Sequence, residues 1–127
     1  MLSTLNGKVV KGLEGIPSEG PAVFVGYHML MGWDLGHLFS RLFTEKNIHL
    51  RGIAHPYMFE TYSERMMPDS SAFDGIRLMG AVPVSAANFF KLLSRKEAVL
   101  LYPGGIREAI HKKVVQVVWL SVFLCIV

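Results

Sequence analysis

The sequence offers little for cross-links or charged binding surfaces. It contains one cysteine, Cys125, among 127 residues, so no disulfide can form within the chain and a reducing compartment is expected. The net charge is only +3, and basic residues are scattered among acidic ones. Without a basic stripe interleaved with aromatics, we expect no nucleic-acid partner. The N-terminal residues lack the apolar segment of a signal peptide and the composition of a transit peptide, so neither is predicted.

Several catalytic signatures are missing as well. No G-x-S-x-G sequence occurs, which disfavours a serine hydrolase of the α/β-hydrolase kind. The absence of G-x-G-x-x-G and of a P-loop argues against the common nucleotide-binding motifs. Four histidines lack Cys or acidic neighbours at metal-ligand spacing and are interpreted as surface or core residues, with no metal predicted. They are His37, His49, His55 and His111.

Apolar residues, by contrast, make up 51% of the chain. A domain of this length buries a modest core, so surplus apolar surface indicates contact with lipid, an apolar ligand or a missing partner segment. The excess is greatest in residues 114–127, a hydrophobic tail directly after Lys113. The tail is shorter than the roughly 20 residues of a membrane-spanning helix. Three interpretations of the tail stay open. It could be a buried strand or helix, an interfacial anchor, or sequence unrelated to the domain's normal continuation.

Apolar runs alternate with amphipathic segments along the rest of the chain. This order predicts an α/β fold with a mainly parallel sheet and flanking helices. The predicted strands are Ala22–Tyr27, Ile48–Ala54, Ala81–Val84 and Ala98–Tyr102. The predicted helices are Asp34–Glu45 (with Asp34 as the cap), Tyr57–Met66, Phe73–Met79, Ala86–Arg95 (with Phe89, Phe90, Leu92 and Leu93 inward) and Ile106–Lys112.

Two turns follow apolar strands and carry reactive groups. The first contains His28 and Asp34, and open α/β sheets place reactive groups at such strand ends. A neutral imidazole can remove a proton from a hydroxyl near neutral pH, and a carboxylate can orient it. The alternative is a histidine that merely fills a polar gap. Apolar side chains beside this turn could line a groove for an acyl chain, namely Met29, Met31 and Trp33.

The second turn is Pro103-Gly104-Gly105, with Arg107 just beyond it. Parallel strands place both turns at one edge of the sheet, so they could act on one substrate. The Gly104 and Gly105 N–H groups could face a developing oxyanion, and Arg107 could orient the acceptor or a phosphate-bearing thioester donor. The alternative is a tight connection with a solvated Arg107.

Four segments in a fixed order resemble the glycerolipid acyltransferase superfamily, and most closely the plant plastid phytyl ester synthase/diacylglycerol acyltransferase group. They are residues 23–36, 51–59, 80–93 and 99–113, within a similarity that runs from about Gly15 to Lys112. The resemblance implies an acyltransferase-like fold. It also implies transfer of a fatty acyl group to diacylglycerol or phytol, with His28 as general base and Asp34 as its orienting partner.

The resemblance also implies how the reaction is supplied and where it occurs. The acyl donor would be acyl-CoA, an acyl carrier protein thioester or a galactolipid, with no cofactor, no metal and no covalent acyl-enzyme. Expected partners are lipid substrates, a membrane surface and acyl carrier protein. The expected location is the plastid (chloroplast), at plastoglobules or a membrane surface.

The sequence departs from the superfamily pattern at two positions. Five residues separate His28 from Asp34, where the superfamily usually has four, so the turn must bulge. The usual Pro-Glu-Gly-Thr-Arg block has Gly104 in place of its Glu. Since that Glu helps to hold a phosphorylated glycerol, the change is consistent with a neutral acceptor, and Glu108 does not occupy the equivalent place.

The resemblance further predicts a C-terminally incomplete domain. Relatives continue past the Arg block with another strand and helix, whereas this chain enters its hydrophobic tail. We therefore divide it into a lead-in (1–20), a partial acyltransferase domain (21–113) and the tail (114–127). The alternative to an active O-acyltransferase is a catalytically inactive, truncated fragment that binds only lipid or a partner.

Overall fold

The computed structural model describes residues 2–5, 8–26, 33–60, 70–105, 107 and 123–125. Strands and helices alternate through most of this range. In chain order the elements are β1 (Leu2–Leu5), β2 (Lys8–Lys11), β3 (Ala22–Val25), α1 (Trp33–Lys46), β4 (Leu50–Ala54), a 3₁₀ turn (Pro56–Met58), a second 3₁₀ turn (Ser70–Phe73), α2 (Asp74–Leu78), β5 (Val82–Pro83), α3 (Ala86–Ser94), β6 (Ala98–Leu101) and β7 (Phe123–Cys125).

The main sheet has the strand order β5-β4-β6-β3-β7. Neighbours among β5, β4, β6 and β3 pair in parallel, which confirms the predicted α/β fold. The last strand, β7, lies antiparallel to β3, so residues 123–125 of the hydrophobic tail add a strand to this sheet.

The core lies on the face of the sheet that packs against α1. Side chains alternate along a strand, so Phe24 and Leu100 share this face with Leu50, and all three are almost completely buried. Helix α1 contributes Leu38 and Leu42 to the same cluster, because its apolar residues recur at helical spacing. The remaining members of the core cluster are Leu13, Ile16, Ala22, Ile48 and Ala98.

The exposed side of α1 carries an ion pair between Arg41 and Glu45. The Nε atom of Arg41 donates to Oε1 of Glu45 across 2.6 Å, and Nη2 donates to Oε2 across 3.0 Å. These hydrogen bonds lower the pKa of the Glu45 carboxyl from its ordinary value. As a solvent-exposed pair one helical turn apart, it contributes little to stability.

The predicted helix Tyr57–Met66 is wrong in its described part. The chain forms only the 3₁₀ turn Pro56–Met58, closed by a 2.8 Å hydrogen bond from the Phe59 N–H to the Pro56 carbonyl. A proline after an extended residue favours a turn as well as a helix start. Residues 61–66 of the predicted helix lie outside the described residues.

Two further details differ from the sequence-based expectation. The sequence analysis assigned no element to the lead-in, and β1 and β2 pair there as an antiparallel hairpin. Asn6-Gly7, between those strands, is a favoured hairpin dipeptide that signals this turn. Phe90 was predicted to face inward and is 64% exposed, because a short helix on a sheet has only one face to bury. Leu92 occupies that buried face.

No helix among the described residues is long and apolar enough to cross a membrane.

The burial pattern predicts opposite outcomes for two leucine substitutions. Leu42 is 0% exposed in the core, whereas Leu78 is 85% exposed. Leu42→Ala should lower the free energy of unfolding by about 2–5 kcal/mol, because it removes buried methyl groups and leaves a cavity. Leu78→Ala should change it by less than about 0.5 kcal/mol. Urea unfolding followed by circular dichroism measures both, and equal effects would contradict this assignment of the core.

Gly20 lies close to the main chain of Lys96, just before β6. This contact leads to a second prediction. A Cβ atom at Gly20 would clash with the main-chain oxygen of Lys96, whereas a Cβ at Gly36 in α1 meets nothing within 4 Å. Gly20→Ala should therefore destabilise the fold, since two backbone segments must separate. Gly36→Ala should stabilise it by about 0.5–1 kcal/mol through helix propensity. Thermal unfolding of the two variants tests this, and a Gly20→Ala variant as stable as the wild type would refute the contact.

Candidate active site

The carboxyl ends of the four parallel strands meet at one edge of the sheet. The chain leaves β3 at Gly26, β4 at His55, β5 at Val84 and β6 at Tyr102. In open α/β sheets, ligands bind at this edge because the loops that follow the strands converge there. The residues at these four strand ends therefore form the candidate active site, which we call the carboxyl edge.

At the centre of the carboxyl edge, β3 and β6 lie side by side. Val25 is paired with Leu101, and the Gly26 N–H donates to the Leu101 carbonyl across 3.1 Å. The segment that leads to His28 thus leaves the sheet next to the start of the Pro103-Gly104-Gly105 turn. The strands that precede the two predicted turns therefore end side by side, and residues 27–32 of the first turn lie outside the described residues.

The Gly-Gly turn is closed by its own backbone. The Gly105 N–H donates to the Tyr102 carbonyl across 3.0 Å, and Gly105 has a φ of +52° that favours glycine. Tyr102 is itself packed against the core cluster, which ties the turn to the sheet. Since the Gly105 N–H is already engaged, Gly104 is the residue whose N–H has no main-chain acceptor among the described residues.

Helix α1 begins at the carboxyl edge with Trp33. Asp34 was predicted to cap this helix from outside, but its backbone lies within the first turn. A carboxylate in the first turn is still favourable, because it lies near the positive end of the helix dipole. For Trp33 and Asp34 the structure describes only the backbone.

The other predicted site residues are distributed as follows. Gly104 and Gly105 form the turn after β6, and Arg107 lies just beyond it with an exposed side chain. Gly105 and Arg107 have helical backbone, and the other residues of the predicted helix Ile106–Lys112 lie outside the described residues. Three predicted site residues lie outside the described residues: His28, Met29 and Met31. Their roles stay predictions.

One residue at the carboxyl edge was not singled out from the sequence. His55 directly follows β4, and its Nδ1 atom accepts a hydrogen bond from the Tyr57 N–H across 3.2 Å. The sequence analysis interpreted His55 as a surface or core residue, and its side chain is indeed exposed. The sequence feature that could have identified His55 as a site residue is its position directly after an apolar strand and before a proline.

A cavity of about 350 Å³ lies at the opposite, amino-terminal edge of the sheet. Its floor includes Ala22, Ile48 and Ala98, at or just before the first residues of their strands. The residues at the ends of β3 and β6 do not line it. The cavity is therefore separate from the candidate active site.

Among the described residues, no group of three or more His, Cys, Asp or Glu side chains is arranged to hold a metal ion.

Comparisons with known proteins agree with the motif-based resemblance. The chain is 54% identical over 114 residues to "Phytyl ester synthase 2, chloroplastic" from Arabidopsis thaliana, covering 89% of this chain and 16% of that protein. It is 49% identical over 108 residues to "Phytyl ester synthase 1, chloroplastic" from the same organism, covering 85% of this chain and 15% of that protein. The chain thus spans about one sixth of the length of these relatives.

A more distant similarity extends to an animal protein. The "DGAT1/2-independent enzyme synthesizing storage lipids" of Bos taurus is 25% identical over 115 residues, which cover 90% of this chain and 32% of that protein. No protein-family model matches the chain, and no solved structure matches it. The matches confirm the resemblance predicted from the motifs: over most of its length the chain is homologous to a segment of the phytyl ester synthases, within the glycerolipid acyltransferase superfamily.

Proposed function

We propose that this chain carries an O-acyltransferase site that moves a fatty acyl group to a neutral lipid alcohol, phytol or diacylglycerol. The observation that supports this most directly is the pairing of Val25 with Leu101. It brings the segment before His28 and the Gly-Gly turn to the same edge of the sheet. The names of the relatives, two phytyl ester synthases and an enzyme synthesizing storage lipids, support the acceptor class.

In the proposed reaction, His28 acts as the general base. Its neutral imidazole removes the proton from the lipid hydroxyl as the oxygen attacks the carbonyl carbon of the donor. The tetrahedral intermediate then collapses, the bond to the donor's sulfur or oxygen breaks, and the imidazolium returns the proton to that leaving group. Asp34 orients the imidazole and stabilises its charged form. Atoms and charges balance without a covalent acyl-enzyme, a metal or a cofactor.

The surroundings of the turn suggest how the substrates are held. Arg107 is exposed just beyond the turn, where a guanidinium can bind a phosphate of acyl-CoA or of an acyl carrier protein thioester. A galactolipid would be an uncharged alternative donor. Gly104 leaves no carboxylate to hold a phosphorylated acceptor, which suits a neutral alcohol. Met29, Met31 and Trp33 supply apolar surface for the acyl chain.

The proposed setting is the plastid, because both plant relatives carry "chloroplastic" in their names. Phytol and diacylglycerol partition into lipid, so the substrates would be met at a membrane or plastoglobule surface. Acyl carrier protein is the proposed protein partner if the donor is its thioester.

A second candidate function follows from the short span of the chain. Because it covers only 16% of the first relative and 15% of the second, it could bind lipid or a partner without turnover. The two candidates differ in one measurable property, the formation of product.

Substitution of His28 tests the proposed mechanism. The purified chain, given radiolabelled acyl-CoA, acyl carrier protein thioester or galactolipid with phytol or diacylglycerol, should form labelled ester. His28→Ala should lower the rate by about 10²- to 10⁴-fold, the usual contribution of a general base.

The matched control is His37→Ala, because His37 is exposed on α1 and has no proposed role. It should retain full activity. Equal activity of His28→Ala and the wild type would rule out the mechanism. Vesicle binding without product, unchanged in His28→Ala, would favour the lipid-binding fragment.

A further inference from the structure

His55 is held in one orientation by its two neighbours in sequence. Its backbone is extended, with φ −62° and ψ 139°, the region that a following proline favours. Its Nδ1 atom accepts the Tyr57 N–H across 3.2 Å and so caps the 3₁₀ turn. Histidine is not among the usual capping residues, which are Ser, Thr, Asp and Asn. A simple cap therefore does not account for the choice of an imidazole at this position.

The capping hydrogen bond also determines which ring nitrogen carries the proton. In a neutral imidazole one nitrogen accepts and the other donates. Because Nδ1 accepts the Tyr57 N–H, the proton of neutral His55 lies on Nε2. The described residues give Nε2 no hydrogen-bond partner, and the side chain is exposed. His55 thus presents an N–H donor to solvent just beyond the end of β4.

The sheet places the end of β4, which His55 follows, beside β6, which leads into the Gly-Gly turn. Strand β4 pairs in parallel with β6, with Gly52 opposite Leu100. His55 and Pro103 each follow this pair by three residues, so both lie just beyond the carboxyl ends of two neighbouring strands. On the other side of β6, Gly26 is hydrogen-bonded to Leu101. The Gly-Gly turn therefore lies between the strand end that precedes His28 and the strand end that carries His55.

In the described Gly-Gly turn, the Gly104 N–H is the main-chain donor that stays available to a substrate. The carbonyl oxygen of the acyl group becomes negatively charged in the tetrahedral intermediate and is stabilised by N–H donors placed beforehand. The Gly105 N–H is already engaged by the Tyr102 carbonyl. We propose that the Nε2–H of His55 donates a hydrogen bond to this carbonyl oxygen, beside the Gly104 N–H. This assignment rests on the proposed acyltransferase function.

His55 keeps its proton throughout the proposed reaction. The bond strengthens as negative charge develops on the carbonyl oxygen and weakens when the intermediate collapses to the new ester. The proton removed from the lipid alcohol travels by way of His28 to the leaving group. His55 would thus be a catalytic residue that acts by electrostatic stabilisation, with no covalent or redox step of its own.

His55→Asn separates this role from the capping role. An Asn side-chain oxygen can accept the Tyr57 N–H, as Asn does at other caps, but the shorter amide cannot reach where Nε2 lies. The thermal unfolding midpoint should stay unchanged, kcat should fall by about 10²-fold or more, as for a lost oxyanion donor, and KM should change less. His37→Asn is the matched control and should alter neither property. His55→Ala should lower both kcat and the unfolding midpoint.

Two further measurements distinguish failure of this proposal from failure of the proposed function. Nitrogen NMR of the imidazole should show Nε2 protonated and Nδ1 unprotonated at neutral pH, whether or not the chain turns over substrate. A phytyl ketone, in which a CH₂ group replaces the ester oxygen, should bind the wild-type chain about 3- to 10-fold more tightly than His55→Asn, the usual value of one neutral hydrogen bond.

If the wild-type chain is active and His55→Asn has the same kcat, the role of His55 is refuted while the acyltransferase function stands. If the wild-type chain is inactive, the proposed function fails, and weaker ketone binding by His55→Asn would still support the donor. Equal ketone binding by the two chains, binding by neither, or a proton on Nδ1 would overturn the proposal.

Discussion

The pairing of β6 with a parallel strand on each side is the constraint on which the rest of the structure depends. Its main chain is hydrogen-bonded to β3 on one side and β4 on the other, and Val99 and Leu100 are almost fully buried. A strand in this position must be apolar on both faces, which accounts for the unbroken run in the sequence. The same pairing brings the ends of β3 and β4 to either side of the turn after β6.

The parallel architecture could be predicted because it depends on short-range patterns, namely apolar runs, glycine stops and helical spacing. The sequence-based predictions were wrong where longer-range packing or backbone geometry determines the local structure. Phe90 fits the apolar spacing of α3, but the sheet covers only the face that holds Leu92. Beyond Pro56 the apolar spacing suits a helix, yet the turn closes on itself after Met58. The hairpin of β1 and β2 was missed despite the Asn6-Gly7 signal.

For the candidate site, too, the sequence predicted the placement of the segments but not the individual hydrogen bonds. That two Gly-containing turns share an edge follows from parallel connections alone. That the Gly105 N–H is already bonded to Tyr102, and that the Nδ1 atom of His55 accepts the Tyr57 N–H, depends on atomic geometry that residue spacing does not contain. These two hydrogen bonds change which N–H donors are available for the proposed stabilisation of an oxyanion. One removes a donor that the motif offers, and the other leaves a histidine N–H to supply one.

Helix direction supports placing the proposed acyl transfer at the carboxyl edge rather than in the cavity at the other edge. Helices α1 and α3 start at the carboxyl edge, at Trp33 and Ala86, so the positive ends of their dipoles favour negative charge there. Their last turns reach the amino-terminal edge, where Asn47 and Lys96 line the cavity. The partial negative charge of a helix C-terminus opposes an oxyanion. The 350 Å³ cavity therefore lies at the negative ends of the two helix dipoles, away from the candidate active site.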